Sequence, residues 1–226
     1  MNERSAIEPH GRDEGRRLAL WLALVAFFIV VQYASRASGA PVGDPLYRWS
    51  FAVGSLIQEG IFLLIVLAIA GFSAKRLALR LPALKWRAAG LVIVGFFTIQ
   101  VFELVYIAIA HPGNEQGLTP SHWQPSHAVA YIANGAIICT LVPFVEEVTF
   151  RGLGFSLLRP YGRWTAIAGT GVLFGLSHGL VVALPIIVLF GCVLAWIREQ
   201  SDSVFPGMLL HAGFNLVALV VAVVHH

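Results

Sequence analysis

The sequence predicts an all-α fold, a polytopic membrane bundle of about seven transmembrane helices, and three observations carry that prediction. First, 58% of the 226 residues are hydrophobic and 12% are charged, with a mean hydropathy of +0.78. The charged share is about half that of soluble domains, and a soluble core of this size cannot hide so much apolar surface. Second, the apolar residues fall into runs long enough to cross a bilayer, separated by short polar loops. Third, thirteen of the 15 Lys and Arg residues lie in segments on one side of those runs, and only Arg36 and Arg48 lie on the other. By the positive-inside rule this places the N-terminus in the cytoplasm and the C-terminus outside, with an odd number of spans; a bacterial inner membrane is the expected setting, although the sequence itself does not name the host. The pI near 9.1 follows from that asymmetry and implies no nucleic-acid partner.

In order, residues 1–17 hold Arg4, Arg12, Arg16 and Arg17 and read as a cytoplasmic tail, poorly ordered. Span one covers about 18–34. Ser38-Gly-Ala40 resembles a signal-peptide cleavage site, but the apolar run is long for a signal sequence and Pro41 would follow the cut, so an uncleaved span is favoured. A Gly/Pro/Ser loop leads to span two, 49–71, which carries Gln58 and Glu59. Residues 72–88 alternate leucines with five cations, a pattern suited to lying partly on the membrane surface. Span three, 89–110, carries Gln100 and Glu103. Span four starts near His127 and runs into the Glu146-Glu147 stretch. Spans five, six and seven cover about 164–178, 180–197 and 208–224. Three regions result: the tail at 1–17, membrane helices one to three at 18–126, and a motif-bearing core at 127–224. Cys139 and Cys192 sit in apolar runs and read as buried small residues rather than a disulfide. His225 and His226 end the chain.

Ionised groups in a membrane span are costly and need a reason. Span four contains Glu146, Glu147 and Arg151. Glu147 and Arg151 are i and i+4 on a helix, so they can pair and neutralise each other. Glu146 points about 100° away from Glu147 and has no local cation. Such a carboxylate, near water and imidazole, suits a general base. If span four is helical to Leu158, Glu146 lies roughly 18 Å above the turn, and His178 lies roughly 21 Å up the returning helix, so the two face each other. Pro143 is expected to bend the helix just before the acidic pair. His211 and Asn215 share one face of span seven, but His211 would sit near the cytoplasmic surface unless the preceding loop dips inward at Pro206-Gly207. A histidine in an apolar run is more often a helix–helix hydrogen bond than a site; four polar groups on three helices shift that balance.

Glu146-Glu147-x-x-x-Arg151, Phe174-x-x-x-His178 and His211-x-x-x-Asn215 together resemble the three motifs of the CPBP family, the CAAX proteases and bacteriocin-processing enzymes, whose eukaryotic relative is the type II CAAX prenyl endopeptidase. The resemblance covers roughly residues 130–220. It implies an intramembrane endopeptidase in which Glu146 and His178 activate a water and His211 with Asn215 stabilises the oxyanion. Glu147, Arg151 and Phe174 would support the site or bind the substrate. The implied partners are membrane lipid and a peptide or protein substrate, with maturation of a peptide or anchored protein favoured over CAAX removal. No cofactor is required, although two His and one or two Glu could hold zinc. Two other classes remain: a non-catalytic scaffold or bacteriocin-immunity protein, and a proton-coupled transporter using Glu59, Glu103 and Glu146 as a relay.

Overall fold

The computed structural model describes residues 8–39, 44–111, 115, 118, 120 and 122–224. Among them the fold is all-helical: α1 (Glu8–Ala37), α2 (Trp49–Ala70), α3 (Lys85–Ala110), α4 (Ala128–Cys139), α5 (Leu141–Glu147), α6 (Phe155–Leu158), α7 (Arg163–Leu176), α8 (Leu184–Ser201) and α9 (Phe205–Val224). Residues 148–154, between α5 and α6, are wound as a π-helix. Six segments are long and apolar enough to cross a membrane, counting 125–161 as one. Outward-facing leucines, valines and phenylalanines line α2 and α3, as lipid contact requires. The protein is an integral membrane protein.

Three boundaries differ from the sequence reading. α1 begins at Glu8, so the described part of the tail is helical rather than loose. Asp13 pairs with Arg17 one turn on, Glu14 pairs with Arg76, and Arg17 donates to the Ile69 carbonyl at the end of α2. These contacts dock the first turns onto the loop after α2. The possible cleavage site runs into Ala40 and Pro41, which lie outside the described residues, as do His225 and His226. α1 itself is part of the bundle: Trp21 is fully buried and donates to the Thr149 carbonyl. Gly154 makes that possible, since a Cβ there would lie 2.2 Å from the Trp21 ring.

The bend in span four falls at Thr140, not at Pro143. Proline lacks the N–H that would bond to residue 139, and its ring crowds that carbonyl. The helix therefore stops at Cys139 and restarts at Leu141, which puts Pro143 in the first turn of α5, where a missing N–H costs nothing. Thr140, at φ −126° and ψ −65°, carries the break, and its hydroxyl donates back to the Ala136 carbonyl.

The third difference is α7, the shortest of the expected spans. At 14 residues, roughly 21 Å, it falls short of a ~30 Å hydrocarbon layer. Residues 177–183 leave the helix and carry the chain on to the far ends of α1 and α3. Gly179, at φ +65°, makes this turn against the backbone of Gln32. His178 therefore lies in a turn rather than on a helix. The segment 72–84 divides too: Leu81 faces outward, while Leu77 is buried in the core, its backbone laid against Gly152.

Candidate active site

α5, the turn after α7, and α9 converge on one cluster. Glu146 and Glu147 are the last two residues of α5. On the buried side, Arg151 donates from Nη1 to Glu147 Oε1 at 2.9 Å and from Nη2 to the Gly191 carbonyl of α8 at 2.8 Å. Both side chains are wholly buried, at 0% exposure. The Arg151 guanidinium also lies 4.2 Å from the Phe174 ring centre, so a charge in an apolar bundle is met on three sides. The expected Glu147–Arg151 pairing is therefore present.

Glu146 is on the open side. Its side chain keeps 20% exposure, although Oε2 itself is buried, and the carboxylate faces two imidazoles: Oε1 is 4.0 Å from His178 Nε2, and Oε2 is 3.5 Å from His211 Nε2. His178 is 18% exposed. Its Nδ1 lies 2.8 Å from the Phe174 carbonyl. A carbonyl only accepts, so Nδ1 carries the proton, and in the neutral ring Nε2 presents a lone pair to the Glu146 side. Glu146 and His178 thus face each other across the hairpin as expected, although the turn, not a helix face, presents the histidine.

The position of His211 is explained by where α9 begins. The helix starts at Phe205 rather than Met208, which places His211 six residues in, roughly 9 Å from the start. The loop before it is held by Val204 N–H donating to the Ala78 carbonyl and Ser203 Oγ donating to that of Arg80. His211 is buried, with Nε2 towards Glu146 and Nδ1 3.4 Å from Glu147 Oε1. Phe174 and Phe190 box the ring, at 5.7 and 5.2 Å between centres. Asn215, one turn on, donates from Nδ2 to the Ile138 carbonyl at 2.9 Å. That carbonyl is freed by the break at Thr140, so Asn215 also ties α9 to α4.

Three positions in the cluster went unpredicted. The Gly191 carbonyl receives Arg151, Phe190 walls His211, and Gly207 lies so close to Glu147 that a Cβ would sit 2.6 Å from Oε2. A signal for the first was present in the sequence: Gly171-x-x-x-Gly175 marks a close helix crossing, and both glycines pack against α8, at Cys192 and Val188. Of the other intramembrane acids, Glu59 on α2 is half-buried and within electrostatic range of Glu146. Glu103 lies on α3, which packs on α8 and α9. Neither bonds to Arg151, whose partners are Glu147 and Gly191. Cys139 and Cys192 are free thiols.

A catalytic zinc takes three protein ligands. Among the described residues no group of three or more His, Cys, Asp and Glu side chains is arranged to hold a metal ion.

Comparison with curated proteins and with solved structures returns no match. Residues 128–217, which carry every motif residue described above, match the family model of the type II CAAX prenyl endopeptidases, Rce1-like.

Proposed function

We propose that the chain is an intramembrane endopeptidase that hydrolyses a peptide bond of a membrane-associated peptide or protein with a water activated by Glu146. The family of residues 128–217 supports peptidase activity in the membrane. The observation that carries the mechanism is the pair formed by Glu146 Oε1 and His178 Nε2. At 4.0 Å they are too far apart for a direct hydrogen bond, and both are acceptors. One water donating an O–H to each satisfies both and leaves an oxygen lone pair free to attack.

In this reading Glu146 takes a proton from the water as its oxygen adds to the substrate carbonyl carbon. The same proton then passes to the leaving amine as the C–N bond breaks. His178 orients the water. The developing oxyanion needs donors. Asn215 has a second N–H beyond the one given to Ile138, and it lies on the same helix face as His211. Glu147 and Arg151 are sealed from solvent, which favours a role in holding His211 and α8 over binding a substrate carboxylate. The cation distribution supports an N-terminus in the cytoplasm.

The test is the purified full chain in lipid nanodiscs with a peptide library read by mass spectrometry, including prenylated CAAX peptides. The reading predicts cleavage that persists in chelator and is lost in Glu146→Gln and His178→Ala. Cleavage that disappears with chelator and returns with zinc contradicts the glutamate-type mechanism.

A further inference from the structure

The turn that carries His178 is not held by the motif helices alone. Residues 177–183 are non-helical backbone at the edge of the bundle, where every polar group needs a partner. Those partners come from segments that precede the family domain. Glu115, in the loop between α3 and α4, accepts from the backbone amides of Val181, Val182 and Ala183 at 2.8, 3.1 and 2.7 Å. Three successive amides gathered on one carboxylate form an anion-binding nest. Arg36, at the end of α1, donates to the same carboxylate at 2.9 Å and to the Glu115 carbonyl at 3.1 Å. Tyr33 donates to the Leu180 carbonyl at 3.1 Å, and Tyr106 of α3 donates to that of Val182. Gln32 backs Gly179 directly.

We propose that Glu115, clamped by Arg36, is a positioning residue for His178: it locks the 177–183 turn and so sets the distance from His178 to Glu146. Glu115 touches neither Glu146 nor the reacting atoms. It acts by holding the turn from the side of the membrane where α1 and α3 end. The role rests on the peptidase reading, because a precise His178 matters only if Glu146 and His178 work together. It also gives the N-terminal helices a task that none of the three motifs assigns them. The 7% exposure of the Glu115 side chain fits a buried clamp rather than a solvated surface acid. Burial opposes ionisation of Glu115, but the amides of Ala183, Val181 and Val182, with Arg36, outweigh it and hold the carboxyl below its ordinary range.

The experiment uses the full chain in nanodiscs and two readouts. Hydrogen–deuterium exchange of the 177–184 peptide reports the turn, and kinetics on a library peptide cleaved in a Glu146-dependent way report the site. Glu115→Gln keeps the shape but loses the charge, and Arg36→Gln is a second route to the same loss. Gln124→Ala, which removes a contact to Asp44 elsewhere in the outer loop, is the control. Expected for Glu115→Gln and Arg36→Gln are faster exchange across 181–183 and a kcat roughly 10- to 100-fold lower with KM unchanged. Unchanged exchange overturns the clamp, and faster exchange with unchanged kcat reduces Glu115 to a structural residue. If no cleavage depends on Glu146, the peptidase reading fails and takes this role with it, while the exchange result still decides whether Glu115 holds the turn.

Discussion

Gly207→Ala is a one-methyl change that tests how tightly the buried half of the site is built. The added Cβ would lie 2.6 Å from Glu147 Oε2 and 3.5 Å from its Cδ. Ordinary contact begins at 3.4 Å, so the carboxylate must retreat by about 0.8 Å. It has little freedom to do so. Oε1 is bound to Arg151 at 2.9 Å and faces His211 at 3.4 Å, and the whole side chain is buried. Overpacking of this kind costs about 1–3 kcal/mol, and a displacement approaching 1 Å at His211 costs roughly 100-fold in rate. Gly213→Ala, on the same helix, is the comparison: its Cβ would meet only the Phe96 ring, at 3.9 Å. Both variants would be measured in nanodiscs for thermal unfolding and for kcat on a Glu146-dependent peptide. The expected result is a lower midpoint and a large loss of kcat for Gly207→Ala, with Gly213→Ala near wild type. Equal behaviour of the two refutes the packing argument.

Separating the two acids gives a second prediction. Glu147→Ala strands Arg151 in the core and is expected to cost about 3–5 kcal/mol, read as a large fall in the unfolding midpoint, whereas Glu146→Gln abolishes cleavage and leaves the midpoint near wild type. Glu59→Gln and Glu103→Gln should retain cleavage within a few fold; loss equal to that of Glu146→Gln would favour a proton relay. The clamp at Glu115 has a defined pH sense. Its carboxyl titrates below the ordinary range in the fold, so its contribution is complete above the ordinary Glu value and is lost as pH falls through the lower, folded value. The facing groups are Arg36 and the hydroxyls of Tyr33 and Tyr106. Protection of the 181–183 amides, corrected for the intrinsic pH dependence of exchange, should therefore hold steady from neutral pH down through the ordinary carboxylate range and fall only below it.

The course of the chain shows why some of this was legible in sequence and some was not. Helix spacing alone pairs Glu147 with Arg151, because i and i+4 share a face wherever the helix goes. The facing of Glu146 and His178 also followed from counting residues up and down a hairpin, even though α7 ends two residues before the histidine. What spacing does not encode is tertiary contact made through backbone. Gly171-x-x-x-Gly175 signals the close approach of α7 and α8 but not that the Gly191 carbonyl receives Arg151, and the contact of Gly207 with Glu147 has no signature at all. The break at Thr140 illustrates a different failure: the proline was visible, but the strain is relieved where the lost hydrogen bond would have ended, not at the ring. His211 looked too shallow because Phe205, Pro206 and Gly207 read as loop, while contacts from Ala78 and Arg80 hold that loop and let α9 start early. Those contacts span more than a hundred residues, beyond any local pattern.

The most direct measurement compares new protein N-termini in host membranes that contain equal amounts of the wild-type chain, Glu146→Gln or His178→Ala. The account predicts a set of termini present with the wild type and absent with both variants, and those termini identify the substrate and the cut. Identical profiles from all three, with each variant folded and inserted, would contradict it.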